Sequence, residues 1–274
     1  MISLLIFLNN CKDTVLILFG KGKYKLHIFQ FKTFLYFCRV LEIIHAPLSW
    51  ERLRFTPQMQ RGFLIRNMED RKQKVIVYVD GFNFYYGLKS KSWRKYYWLD
   101  MVKFAERLLR PHQELVEICY FSAKPTDLQK SKHQDTFFQA NKLNPKFTLH
   151  LGKYLTKDIT CRFCNKVNHS FEEKETDVRI ATAMLADVYQ KRCDITMLVS
   201  ADSDLVPPIE RIKEIAPTHK IIVCFPPNRH SFNLKKWSNG IKMLTDKRLY
   251  EECLLPETLT LPNGFVLKRP DKWK

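Results

Sequence analysis

Two stretches of this chain share one grammar, a short apolar run that ends on acids. Val75-Ile76-Val77-Tyr78-Val79 leads into Asp80-Gly81-Phe82-Asn83, and Ile195-Thr196-Met197-Leu198-Val199 leads into Ser200-Ala201-Asp202-Ser203-Asp204. Apolar runs this short, bounded by small and polar residues, read as buried strands of a parallel sheet. Their acids then fall at the carboxyl ends of the strands, where open α/β sheets place their chemistry. Two such strands side by side bring three carboxylates and an amide together.

The rest of the pattern agrees from residue 74 onward. Strands are expected at 74–79, 115–121, 147–154, 195–200 and 220–225, with helices between them at 99–109, 128–142, 177–190 and 204–215. This alternation predicts a parallel sheet with right-handed crossovers. Met101, Phe104, Ala105, Leu108 and Leu109 form a helical stripe ended by Pro111. Leu205, Ile209 and Ile212 form another, and Pro207 and Pro208 are tolerated because they fall in its first turn. The domain is expected over 73–250, with a Cys-containing insert at 155–172. A C-terminal tail, 251–274, with Pro256, Pro262 and Pro270, reads as an extended appendage.

Residues 1–67 differ from the rest of the chain. They are crowded with Phe, Leu, Ile and Lys and show neither a clean helical nor a clean strand period. Two readings stand: Met68 is the natural start, or the segment is a disordered or partner-binding extension. Removing it leaves 36 basic against 25 acidic residues, so the basic character survives.

Over the whole chain the net charge is +18, which favours polyanionic partners such as nucleic acid. Eight cysteines are present, only Cys161 and Cys164 closely spaced, and Cys119 and Cys224 lie inside apolar runs. That is reduced usage rather than a disulfide framework, and the expected compartment is the cytoplasm. No apolar run approaches the ~20 residues that span a bilayer, so no membrane association is expected. A homo-oligomer is compatible with the sequence.

A fourth acid, Asp177, opens a predicted helix on the same face as Ala181, Met184 and Val188. Each acid has a bland account as well. Asp177 complements a helix dipole, Asp80 sits in a turn before Gly81, Asp204 caps the next helix, and Asn83 caps a short helix after the first strand. Their conjunction argues otherwise, since Asp80, Asp177, Asp202 and Asp204 converge in a parallel α/β sheet. Like charges packed together repel unless a cation neutralises them, and hard oxygen donors suit Mg2+ or Mn2+. The natural use of such a site is activation of water against a phosphodiester.

Val77-Tyr78-Val79-Asp80-Gly81-Phe82-Asn83, Glu173-Lys174-Glu175-Thr176-Asp177, Ser200-Ala201-Asp202-Ser203-Asp204 and Phe225-Pro226-Pro227 resemble, in order, the motifs of the NYN domain, a branch of the PIN-like nucleases that includes LabA-like proteins. The resemblance covers roughly residues 73–245. It implies a PIN-like Rossmannoid three-layer sandwich with a central, mainly parallel sheet. By the same resemblance Asp80, Asp177, Asp202 and Asp204 match metal-binding acids and Asn83 the polar residue after the first strand. There are two departures: Ala201 stands where Gly is common, and Glu175 occupies a place often held by Gly. The expected function is a metal-dependent endoribonuclease. The alternative is a non-catalytic NYN-fold module that binds RNA or a regulatory partner. A haloacid-dehalogenase-like phosphatase also fits an α/β pattern, but it requires Asp-x-Asp after the first strand, and here the strand ends in Asp80-Gly81-Phe82.

Cys161-Arg162-Phe163-Cys164 is half of a tetrahedral zinc knuckle, with His169 as a third ligand and only His150 and Cys193 as candidates for a fourth. Structural Zn2+ competes here with two reduced thiols in a loop. For RNA, Lys89, Lys91, Arg94 and Lys95 are interleaved with Tyr85, Tyr86, Trp93, Tyr96 and Tyr97, and such cations track a phosphate backbone while aromatic faces stack on bases. Trp98 is expected to pack instead. Arg229, Lys235 and Lys236 form a second basic rim, beside His230.

Overall fold

In a computed structural model the chain divides into two compact units, Met1–Asp70 and Arg71–Lys274. The structure describes residues 71–160, 164 and 167–274, without the side chains of 154–160 and 167–173, and the backbone of three strands in the first unit. Those strands, β1 (Ile6–Leu8), β2 (Thr14–Phe19) and β3 (Gly22–His27), pair antiparallel in chain order. Met68 lies outside the described residues.

The second unit is built on β4 (Gln73–Asp80), β5 (Gln113–Ala123), β6 (Phe147–Thr160), β7 (Val167–Lys174), β8 (Ile195–Val199), β9 (Lys220–Phe225) and β10 (Gly240–Met243). Its sheet order is β10-β9-β8-β4-β5-β6-β7, with six parallel strands and β7 antiparallel at one edge. The helices are α1 (Gly81–Ser90), α2 (Met101–Leu108), α3 (Leu128–Asn141), α4 (Thr176–Tyr189), α5 (Val206–Ile215), α6 (Phe232–Trp237) and α7 (Lys247–Glu251). Side chains of β4 alternate between two cores. Val75, Val77 and Val79 pack with Phe84, Phe104, Phe138 and Tyr250 of α1, α2, α3 and α7. Ile76 and Tyr78 pack with Ile180, Met184, Ile209 and Leu234 of α4, α5 and α6. A strand buried on both faces needs apolar residues at every position, which is why β4 does not alternate polar and apolar. The result is a three-layer α/β/α sandwich.

Two expectations are refined. The Cys-containing insert is framed by a hairpin arm, since β6 runs on past the sheet and β7 pairs with it from Lys153↔Lys174 to Thr160↔Val167. The tail is not an appendage. Its β11 (Thr258–Thr260) and β12 (Val266–Lys268) pair antiparallel, Leu267 is buried, and Trp273 packs edge-on to Tyr97 and tilted against Trp98. Trp98 is fully buried as expected, with Nε1 donating to the Pro256 carbonyl at 2.7 Å. Arg269 reaches the Lys95 carbonyl at 3.0 Å and Glu257 at 2.9 Å. The prolines stop helices, but the apolar residues between them still find the core. Among the described residues no helix is long and apolar enough to cross a membrane.

Chain order sets where the site falls. From β4 the chain proceeds through β5 to β6 on one side, then returns through β7 and α4 to β8 and continues to β9 and β10 on the other. The border of β4 and β8 is therefore a topological switch point, and the crevice at the carboxyl ends of such strands is the usual ligand site of open α/β sheets.

Candidate metal centre and nucleic-acid face

The last registered pair between β4 and β8 is Val79↔Val199, so Asp80, the last residue of β4, and Ser200, the first beyond β8, follow it on adjacent strands. Ser200 is fully buried and joins the two strand ends. Its Oγ donates to Asp80 Oδ2 at 2.8 Å and accepts from the Asp202 N–H at 3.0 Å. Asp80 Oδ1 accepts from the Asn83 N–H at 3.0 Å, capping α1, and Asn83 Oδ1 accepts from the Ala201 N–H at 3.2 Å. Asp80 thus performs the bland capping role with one oxygen and faces Ser200 with the other. Asp202 Oδ1 accepts from the Asp204 N–H at 3.0 Å and caps the short 3-10 turn Ser203–Leu205. The cap expected of Asp204 therefore belongs to Asp202, because the turn begins one residue earlier than the predicted helix.

Asp177 comes from the opposite direction, in the first turn of α4 directly after β7. The junction is Glu175, with φ of 79°, in the left-handed region that side chains other than glycine's adopt at a cost. The glycine that the resemblance expects at that place would adopt this conformation freely. Here Glu175 Oε2 accepts from Arg179 Nη2 at 2.8 Å, and that hydrogen bond holds its carboxyl below the usual range. Gly152, on β6, makes room for the same junction: a Cβ there would lie 2.7 Å from the Lys174 carbonyl and 2.8 Å from Thr176 Oγ1.

Asp80, Asp177 and Asp202 each place a carboxylate oxygen within 4.8 Å of the others, with Asp80 buried and the other two half-buried. Three like charges at this separation are mutually destabilising without a cation, so the donor set fits a divalent ion with oxygen preference. Asp204 is exposed and stands outside this group. Burial, with the Asp80 charge beside it, pushes the Tyr120 phenol up, so Tyr120 stays neutral next to the acids.

A second polar network lies behind the acids and is not legible in the sequence. Tyr78 Oη donates to the buried Asp187 Oδ2 at 2.7 Å, while Arg192 spans Asp187 and Glu117 at 2.6 Å each. Thr148 completes it on Glu117. Burial opposes the Glu117 charge, but the bonds from Thr148 and Arg192 outweigh it and hold the carboxyl below its usual range. This network ties the C-terminal half of α4 to β4, β5 and β6.

The expected RNA-contacting side chains are on the surface. Lys89, Lys91, Arg94 and Lys95 are exposed on the end of α1 and the 3-10 turn Arg94–Tyr97, with Lys89 Nζ 5.5 Å from the Tyr86 ring centre. Lys235 and Lys236 are exposed on α6, and Arg229 is half-exposed in the turn before it. Gly87 lets α1 settle on Pro226 and Pro227, where a Cβ would meet Pro226 Cβ at 2.7 Å. Of the zinc candidates, Cys164 is exposed and reduced, and Cys161 and the His169 side chain lie outside the described residues. His150 stacks on Phe121 at 4.5 Å, and Cys193 is buried beside Thr196, so both candidate fourth ligands are engaged in packing.

The NYN domain model matches residues 74–236, more than half of the sequence, and the chain is a member of the NYN domain family. Among curated proteins it is 28% identical over 118 residues to the chaperone protein HtpG of Buchnera aphidicola, across 40% of this chain and 18% of that protein. The chain thus spans less than a fifth of that relative's length. It is 24% identical over 246 residues to the 6-hydroxy-3-succinoylpyridine 3-monooxygenase HspA of Pseudomonas putida, across 76% of this chain and 78% of that protein. Among solved structures, a protein of unknown function from Vibrio parahaemolyticus matches with a TM-score of 0.46 and 20% identity, across 68% of this chain and 98% of that one.

Proposed function

We propose that this chain is a metal-dependent endoribonuclease acting through the acids at the β4/β8 switch point. The observation that carries the reading is the convergence of Asp80, Asp177 and Asp202 from three separate elements onto one spot. They would hold Mg2+ or Mn2+, which when bound supplies charge neutralisation at the phosphate and an activated water. The chain's own residues do the rest. Asn83 has its Oδ1 committed to the Ala201 N–H, which leaves its Nδ2 to donate to a phosphate oxygen or to a water. Asp204, exposed at the rim, orients Asp202 through its own N–H and offers a further carboxylate to the cleft mouth. Lys89, Lys91, Arg94, Lys95, Arg229, Lys235 and Lys236 would take the backbone phosphates on either side, making binding dependent on salt. The compartment in which this takes place would be the cytoplasm, and a Zn2+ at Cys161, Cys164 and His169 would clip the arm without entering the chemistry.

The monooxygenase relative carries the name of a different reaction. The acid group here contains no histidine, and an all-carboxylate set suits Mg2+ or Mn2+ better than a redox iron. The test is incubation of the full chain with end-labelled RNA in Mn2+, in Mg2+ and in chelator, beside Asp202→Asn. Internal cleavage that needs the metal and vanishes in the variant supports the proposal. Persistence in Asp202→Asn refutes the site, and tight RNA binding without cleavage in any metal replaces the enzyme by a binding module.

A further inference from the structure

We infer that Phe232 is a stacking platform for an unpaired base, and that the site therefore takes single-stranded in preference to duplex RNA; the inference rests on the ribonuclease reading above. β9 runs parallel to β8 and, through it, to β4, so its carboxyl end opens on the same edge of the sheet as the acids. The chain leaves that edge through a defined turn. The Arg229 N–H donates to the Pro226 carbonyl at 3.0 Å, and Asn228 takes the left-handed φ of 55° that asparagine tolerates well. Ser231 then caps α6, its Oγ accepting from the Leu234 N–H at 3.3 Å, and Phe232 is the first residue of the helix.

The helix that carries the ring is packed down by its neighbour. Leu234 is fully buried in the same core as Leu205, so α6 is pinned to the turn that directly follows Asp202. Phe232 is 74% exposed. Lys235 and Lys236, three and four residues on, share its face of the helix, and Arg229 precedes it by one turn of chain. Tyr189 is more exposed still, but it ends α4 at the far end from Asp177. An exposed apolar ring on the acids' edge of the sheet, with cations on its own helix face, matches how single strands are held, by aromatic stacking on a base beside a basic track. In a duplex the bases stack on one another and offer no free face, while the phosphates remain equally available to the lysines.

The test measures binding, not cleavage. Fluorescence anisotropy at fixed ionic strength compares a labelled single-stranded RNA with a duplex of the same length, on the full chain carrying Asp202→Asn so that neither is cut. Phe232→Ala is expected to weaken the single-strand complex on the order of tenfold and leave the duplex complex within twofold, while Phe232→Trp restores it. Lys235→Ala is expected to weaken both ligands alike. If Phe232→Ala binds the single strand as the parent does while Lys235→Ala weakens it, the stacking site is refuted and the RNA reading stands. If the parent binds neither RNA, both fall.

Discussion

Removing the Ser200 hydroxyl tests how the proposed metal centre is held together. Ser200 is fully buried, and its Oγ is the shared partner of the Asp80 carboxylate at 2.8 Å and the Asp202 N–H at 3.0 Å. Ser200→Ala deletes one hydrogen bond to a charged group and one to a backbone donor without adding volume. Hydrogen bonds to charged groups contribute about 1.5–3 kcal/mol and neutral ones about 1 kcal/mol, but Asp80 and Asp202 retain other contacts, so a net loss of about 2–3 kcal/mol is expected. For a domain of this size that lowers Tm by roughly 5–10 °C. The same change would loosen the spacing of two of the three proposed ligands, and loss of such supporting bonds weakens metal binding roughly 10- to 100-fold. Thermal melts followed by circular dichroism and a Mn2+ titration read the two effects separately. Ser203→Ala, on the exposed turn, serves as the control. A Ser200→Ala protein that melts within about 1 °C of the parent and binds Mn2+ equally well would refute the view that this hydroxyl joins the two strand ends.

Gly87→Ala would set a Cβ 2.7 Å from Pro226 Cβ and 3.0 Å from the Pro227 carbonyl, so α1 must shift; a loss of about 1–3 kcal/mol in urea unfolding is expected, together with weaker RNA binding. Glu175→Gly relieves a left-handed φ of 79° but removes the pairing with Arg179, so it is expected to hold stability within about 1 kcal/mol, whereas Glu175→Val at the same φ loses more than that. His219 has Nε2 2.9 Å from Thr196 Oγ1 and is kept neutral because burial pushes its pKa down. As pH falls below the ordinary histidine value of about 6.5, the unfolded chain binds this proton before the folded one, so stability declines from there until the lowered folded value is passed. Urea unfolding at about pH 7.5 and pH 5 should show a smaller difference for His219→Gln than for the parent, and an unchanged difference would contradict it.

Much of the layout is legible because period and position agree. β4, β8 and β9 announce themselves as apolar runs, and α4 shows Met184 and Val188 at helical spacing behind Asp177, as the structure has them. The switch point emerges once the strands are in order. What escapes the sequence depends on contacts between distant residues. Ser200 looks like any small residue at a strand end, and only the 2.8 Å contact to a carboxylate 120 positions away gives it a role. Asp187, Arg192 and Glu117 carry no local signal of one another, yet Arg192 joins the other two in one network. Asp204 is indistinguishable from Asp202 in sequence, and one residue of turn geometry leaves it exposed. β10, α6 and α7 are too short for periodicity to show, and Phe232 carries no sequence signal for that reason. In the tail, Arg269 and Trp273 find partners on the 3-10 turn that no local pattern foretells.

The central claim is that three acids, Asp80, Asp177 and Asp202, form one divalent-metal centre on which hydrolysis depends. Calorimetric titration of Mn2+ into the full chain, with each acid changed in turn to asparagine, addresses it directly. The account predicts a saturable site in the parent that is lost in Asp80→Asn, Asp177→Asn and Asp202→Asn and kept, within a few-fold, in Asp204→Asn. Undiminished Mn2+ binding in Asp177→Asn, or its complete loss in Asp204→Asn alone, would contradict it.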